Sequence, residues 1–207
     1  MPAKVEILVI TSGRPIYEKI CLEALGKQTF KDFKLTVFEN RDKESLAKIT
    51  SRVFLASDAE LVGKIDDDML CPPELIERLV EAHDAHHFGY IGGFHFRDEE
   101  MAGVQPKITE YNGIKIWERP HIGGNFLIRR SDFDGYEGEG LMGLSEYQWK
   151  FKEKGLVNGY LYPFIWTDHM QDGRSKYCVR EYPNKFGMGT DDYTNAFIRD
   201  SKPYLNG

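Results

Sequence analysis

The stretch ELVGKIDDDMLCPPELIERLV, residues 60–80, holds a strand, a turn and a helix in succession. Glu60 to Ile65 carries Leu61, Val62 and Ile65 and reads as a buried strand. Asp66, Asp67 and Asp68 end it. Pro73 stands where a first helical turn tolerates proline. Leu75, Ile76, Leu79 and Val80 then recur at helical spacing, which gives that helix one apolar face. Three adjacent carboxylates repel one another, so something must offset their charge or solvate it.

The same alternation runs back to the start of the chain. Val5 to Thr11 (VEILVIT) is a near-continuous apolar run, broken by Ser12-Gly13-Arg14-Pro15. Ile16, Ile20, Leu22 and Leu25 follow at helical spacing up to Gly26. Lys34 to Glu39 reads as a second strand, and Leu46, Ile49, Val53 and Phe54 mark a second helix. Strand-helix repeated three times predicts an α/β fold with a mainly parallel sheet and helices on both faces. In such sheets ligands lie beyond the carboxyl ends of the strands. Thr11-Ser12-Gly13-Arg14, Glu39-Asn40 and Asp66-Asp67-Asp68 are therefore expected at one place.

The second half is less regular. Tyr90 to Phe96 reads as strand-like, and Lys107 to Trp117 as a hairpin turning at Asn112-Gly113. Asn125 to Arg129 is expected to be a strand and Gly143 to Lys154 a helix. Tyr160 to Trp166 reads as a last strand, followed by Thr167-Asp168-His169. From Asp172 onward the chain is polar and turn-rich, and is expected to be a lid or a loosely held tail.

Gross properties narrow the function. The 207 residues suit one domain, and the net charge of −6 argues against a nucleic-acid partner. Cys21, Cys71 and Cys178 are too few and too scattered for a disulfide framework or a zinc site, so a reducing, cytoplasmic setting is expected. Met1 to Lys4 lead straight into a strand-like run without a leader pattern. No stretch approaches the ~20 apolar residues of a membrane span.

The triplet can be read in two ways from the residues alone. On an extended backbone Asp66 and Asp68 share a side. They would then make a hard, oxygen-rich site suited to Mg²⁺ or Mn²⁺. Alternatively, the triplet is a solvated acidic turn that caps the Pro73 helix.

Three segments carry a family resemblance in their order along the chain. VITSGRPIYEKICLEALGKQTFKDFKLTVFEN, GKIDDDMLCPPELIERL and GGNFLIRRSDFDGYEG together resemble a small GT-A glycosyltransferase, closest in style to family 2, whose donors are nucleotide sugars. The resemblance implies a Rossmann-like three-layer α/β sandwich forming a single catalytic domain over residues 1–207. Residues 1–100 would be its nucleotide-binding half. Residues 101–207 would be its acceptor-side half, with the hairpin and a C-terminal lid.

The resemblance also implies roles. Thr11, Ser12 and Arg14 would border the base or phosphates, and Glu39 the base or ribose, where the family often has Asp. Asp66 and Asp67 would handle the ribose and the metal's waters. Asp68 would bind Mn²⁺ or Mg²⁺ directly, with Asp66 beside it and His169 completing the site. Lys64 would neutralise the triplet or touch phosphate; a plain surface lysine is the other reading. Arg174 and Lys176 would clamp the departing diphosphate, or form an ordinary basic tail. Gly124 and Asn125 would approach the donor sugar. Trp117 and His121 would be acceptor platforms, although Trp117 fits a core position equally well. Glu146 would be the general base of an inverting transfer; Ser145 precedes it, so the family's usual acidic pair is absent. Glu137 and Glu139 are its rivals.

The implied partners are a nucleotide-sugar donor, with UDP-sugars favoured, and a glycan, lipid or protein hydroxyl as acceptor. The chain is compact enough to be one module of a larger polypeptide. Two other readings stay open. A sugar nucleotidyltransferase shares the layout, but SGRP lacks the longer Gly- and basic-rich loop that cradles a triphosphate. A non-catalytic nucleotide-sugar or carbohydrate-binding module of the same fold needs no base at Glu146.

Overall fold

The computed structural model describes residues 2–136, 143–182 and 187–206, with side chains at 143–146 outside that description. The elements follow in chain order as β1 (Val5–Thr11), α1 (Pro15–Gly26), β2 (Phe33–Glu39), α2 (Leu46–Ala56), β3 (Leu61–Asp66), β4 (Met69–Leu70) and α3 (Leu75–Ala85). Then come β5 (Ile91–Gly92), α4 (Asp98–Met101), β6 (Ile108–Tyr111), β7 (Ile114–Glu118), β8 (Asn125–Arg129), α5 (Gly143–Glu153), β9 (Gly159–Tyr162), β10 (Asp168–His169) and α6 (Thr190–Asn206). The central sheet has the order β2-β1-β3-β8-β5-β9-β7-β6. β2, β1 and β3 are parallel, as are β5 and β9, while β8 and β7 run against their neighbours. The fold is thus the expected α/β sandwich with a mostly parallel sheet.

β1 shows why its apolar run is continuous. Val5, Ile7 and Val9 pack into one core with Tyr17, Cys21 and Leu25 of α1 and Leu75, Ile76 and Leu79 of α3. Leu8 and Ile10 pack on the other face with Ile49 and Phe54 of α2 and Tyr147 and Phe151 of α5. Period-two alternation with helices on both sides leaves no solvated face. Glu6 is buried as well, held by Thr36 and by Lys34 at 2.9 Å. The two halves of the chain share one sheet, since β8 lies between β3 and β5.

Three expectations for the second half need correction. Of the Tyr90–Phe96 run only Ile91 and Gly92 form a strand, and Phe94 makes an isolated parallel bridge to Trp166. The next amide, Gly93 N–H, donates to the Asn125 side chain at 2.6 Å instead of to a ladder. The Tyr160–Trp166 strand stops at Tyr162, because Pro163 has no N–H for a neighbour. The polar tail is not a turn-rich lid throughout. Its last part forms α6, whose buried face is Thr190, Thr194, Ser201 and Leu205 with Phe197 half-buried between them. The hairpin turns at Asn112 (φ 50°) and Gly113 (φ 84°), as expected.

Candidate functional site

β1, β2 and β3 end at one level of the parallel register, Thr11 facing Glu39 and Ile10 facing Asp66. The turns beyond them open into a cleft of 1390 Å³ lined by Thr11, Ser12, Arg14, Glu39, Asn40, Lys64 and the three aspartates. Gly123, Gly124, His169, Gln171, Tyr193 and Phe197 close its far side. Three polar groups far apart in sequence thus meet at one place.

The triplet does not alternate as an extended backbone would. β3 ends at Asp66, and Asp67-Asp68 form the turn into β4. Asp66 points back along the strand face to pair with Lys64, which is buried, so Lys64 is no plain surface lysine. Asp67 accepts from the Ser12 N–H and hydroxyl, both at 2.9 Å. Asp67 and Asp68 share one partner, the Arg14 guanidinium, whose Nη1 lies 2.9 Å from Asp68 Oδ2. Gly13 makes this possible, since the turn that presents Arg14 needs its φ of 79°.

Asp68 Oδ2 also lies 3.3 Å from His169 Nε2. β10 pairs with β4 and sets His169 opposite Met69, which brings the two side chains together. Burial pushes the Asp68 carboxyl up, but His169 and Arg14 outweigh it and hold it well below the usual carboxylate range. Burial likewise disfavours the imidazolium of His169, yet Asp68, aided by Asp66 and Asp172, raises its pKa. Asp67 has Arg14 but no imidazolium, and burial leaves its pKa raised. His169 Nδ1 and Gln171 Nε2 are buried without a hydrogen-bond partner among the described residues.

The remaining predicted residues are scattered. Glu39 lies exposed at the cleft and pairs with Arg41. Gly124 lines the cleft with φ 78°, and its carbonyl accepts from Asp66 N–H at 2.8 Å. Asn125 is buried and turned inward, bonding Gly93 and, at 3.1 Å, the Thr167 hydroxyl. Trp117 is buried against Phe94, Tyr160 and Phe164, away from the cleft. His121 stands outside the cleft lining, edge-on to Trp149. Arg174 is spent on Asp172 and the buried Glu100, and exposed Lys176 lies over Tyr177; neither lines the cleft. The Glu146 side chain and residues Glu137 and Glu139 lie outside the described residues.

Sequence reasoning missed four cleft residues. His95 is buried there, its pKa pushed down to about 3 by burial and then by His169, so it is neutral. It belongs to an irregular segment whose period gives no facing. Gln171 is two residues beyond His169 and was within reach of the same reasoning. Tyr193 and Phe197 arrive on α6, whose mixed polar face hid the helix. His83 of α3, which does not line the cleft, is fully buried with Nε2 3.1 Å from the Leu127 carbonyl oxygen.

The profile of glycosyl transferase family 2 matches residues 2–141. The chain belongs to glycosyl transferase family 2. The family match includes every cleft residue from β1 to Gly124, whereas His169, Gln171 and α6 lie beyond it. Among solved structures, the family 2 chain is similar to the mannosyltransferase PcManGT from Pyrobaculum calidifontis, solved with GDP-Man and Mn²⁺. The TM-score is 0.62 at 13% identity, covering 99% of this chain and 72% of that one. TarS 1–349 of S. aureus in complex with UDP-GlcNAc matches with a TM-score of 0.54 at 17% identity, over 76% of this chain and 55% of that one. At these identities the likeness is one of fold. A search of curated proteins finds no match. As a glycosyl transferase family 2 member, the protein is a glycosyltransferase whose structural neighbours bind nucleotide sugars.

Proposed function

We propose that the protein transfers a sugar from a nucleoside diphosphate sugar, with UDP-sugars favoured, to a hydroxyl of a glycan, lipid or protein, with inversion and with a divalent cation. The observation that carries this reading is the approach of Asp68 Oδ2 to His169 Nε2 at 3.3 Å inside the cleft that holds Asp66 and Glu39. Among the described residues no group of three or more His, Cys, Asp or Glu side chains is arranged to hold a metal. The pair nevertheless fits one. Two ligands at ~2.1 Å from one octahedral cation stand about 3 Å apart, and Mg²⁺ or Mn²⁺ at such sites keeps positions for water and phosphate oxygens. Carboxylate plus imidazole suits Mn²⁺ better than Mg²⁺.

Asp68 and His169 would hold the ion, with Asp66 supporting through water. The ion would neutralise charge on the leaving diphosphate. Thr11, Ser12 and Glu39 would receive the nucleoside where β1 and β2 end. Gly124 would bring backbone to the donor sugar in a cleft that neutral His95 and Phe197 also line. Glu146 on α5 would take the proton of the acceptor hydroxyl. The cleft exceeds the ~300–1,000 Å³ of a usual small-molecule site, which leaves room for an acceptor beside the donor.

A calorimetric titration of UDP, with and without Mn²⁺, on wild type and Asp68→Ala tests the reading. Metal-dependent binding should vanish in the variant. Glu146→Gln should bind donor normally while transfer falls about 10²–10⁴-fold. UDP binding that needs no metal and survives Asp68→Ala would sink the metal assignment, and GDP is the next nucleotide to titrate if UDP does not bind.

A further inference from the structure

Arg14 occupies the oxygen that the cation needs. Its Nη1 donates to Asp68 Oδ2 at 2.9 Å and to Gln171 Oε1, its Nη2 donates to Asp67, and its Nε donates to Ser12 Oγ at 2.8 Å. The side chain is 14% exposed. Every partner is a side chain of the protein itself, drawn from the β1 turn, the β3–β4 turn and the segment after β10. Asp68 binds a divalent cation weakly through that oxygen while the guanidinium holds it, because the two cations then repel each other across one anion at contact distance. A guanidinium cannot lose its charge at accessible pH, so Arg14 leaves only by moving.

We propose that Arg14 is a latch, resting on the acidic pair until a diphosphate draws it away. The proposal rests on the metal reading given above. Arg14 stands one residue before Pro15 at the start of α1, inside the same cleft. A nucleoside diphosphate brings oxygens that match the planar fork two at a time, as the carboxylates do now. Exchange of Arg14 from Asp68 to phosphate frees the carboxylate for the cation and gives the guanidinium an equivalent partner. Cation and diphosphate then bind together, each strengthening the other by the same factor. Arg14, with His169, also offsets the charge that Asp67 and Asp68 bring together in a buried turn. Gln171 takes the latch's fourth contact, and its own Nε2 finds no partner there among the described residues, as expected of a group that serves the guanidinium alone.

Free Mn²⁺ measured by electron paramagnetic resonance reads this directly, without any assay of transfer. Wild type should bind Mn²⁺ weakly alone and about tenfold or more tightly with saturating UDP. Arg14→Gln should bind Mn²⁺ about tenfold more tightly than wild type without nucleotide, and UDP should strengthen it by a smaller factor than in wild type, the remaining gain coming from phosphate oxygens on the ion. Gln171→Ala loosens the guanidinium without touching a carboxylate, and should tighten Mn²⁺ about threefold. It decides the matter if Arg14→Gln does not fold. Mn²⁺ affinity unchanged or weakened in folded Arg14→Gln, or unchanged in Gln171→Ala, overturns the latch and leaves the metal site standing. Mn²⁺ bound by none of these proteins, with or without UDP, overturns the metal reading and the latch with it.

Discussion

The Asn125 carboxamide accepts from Gly93 N–H at 2.6 Å and donates to the Gly93 carbonyl and to Thr167. One side chain thus completes the backbone bonding of β5 where that strand ends early. Sequence reasoning placed Asn125 at the donor sugar because two glycines precede it, and glycines do permit close approach. What turned it inward was the need to satisfy a buried amide, which depends on a strand far away in sequence. Asn125→Ala leaves the Gly93 N–H unpaired, while the Thr167 hydroxyl keeps its bond to the Phe94 carbonyl, and should cost ~1–3 kcal/mol of stability. Urea unfolding of the variant measures this; a loss under 0.5 kcal/mol, of the size expected for a surface change, would refute the clamp. Lys64 teaches the converse. Its i,i+2 spacing to Asp66 on a strand was legible, and the two meet on one face.

Among the elements, α6 was the least legible, although it lends Tyr193 and Phe197 to the cleft. Its buried stripe runs through Thr190, Thr194, Ser201 and Leu205, and all three hydroxyls in that stripe make specific bonds, Thr190 donating to the Arg180 carbonyl at 3.3 Å. Thr194 accepts from Gly173 N–H at 2.6 Å, and Ser201 donates to Glu100 at 2.7 Å. Glu100, fully buried, also pairs with Arg174 at 2.9 Å and caps α4 through Arg97 N–H. A helix docked by polar contacts carries a weak apolar period, so its sequence reads as tail. Arg174 was expected to clamp the diphosphate as a cation in the segment after His169; Asp172 and the carboxylates of α4 hold it instead. Glu100→Ala should therefore unseat α6 from α4, with a loss of ~3 kcal/mol. Hydrogen exchange should show α6 amides losing protection ahead of those in β1 and β3. Uniform loss across both would contradict a local docking role.

For the whole molecule, acid sensitivity follows from the buried imidazole between α3 and β8. Burial chiefly pushes His83 down to about 4; Arg129 and His87 add to this, while the Leu127 carbonyl and Asp132 oppose it. The unfolded chain takes a proton near the ordinary pKa of about 6.5, and the folded chain only near 4. Between those values only the unfolded state is protonated, so stability is full above about pH 6.5 and declines as pH falls toward 4. The decline is worth up to about 3 kcal/mol. Melting temperatures from pH 7 to 4.5 should fall more steeply for wild type than for His83→Gln, and parallel curves would exclude the effect. The strand-helix order through residue 85, the hairpin at Asn112-Gly113 and the convergence of three strand ends were all determined by sequence alone. Each depends on local period or on the direction of a parallel sheet, and both are written in consecutive residues. The inward turn of Asn125 and Trp117, the seat of α6, the burial of His83 and the grip of Arg14 on Asp67 and Asp68 were decided only by tertiary structure. In all of these cases but Trp117, which packs among Phe94, Tyr160 and Phe164, a buried polar or charged group had to find its partner, and in every case the contact lies on a segment that only folding brings near.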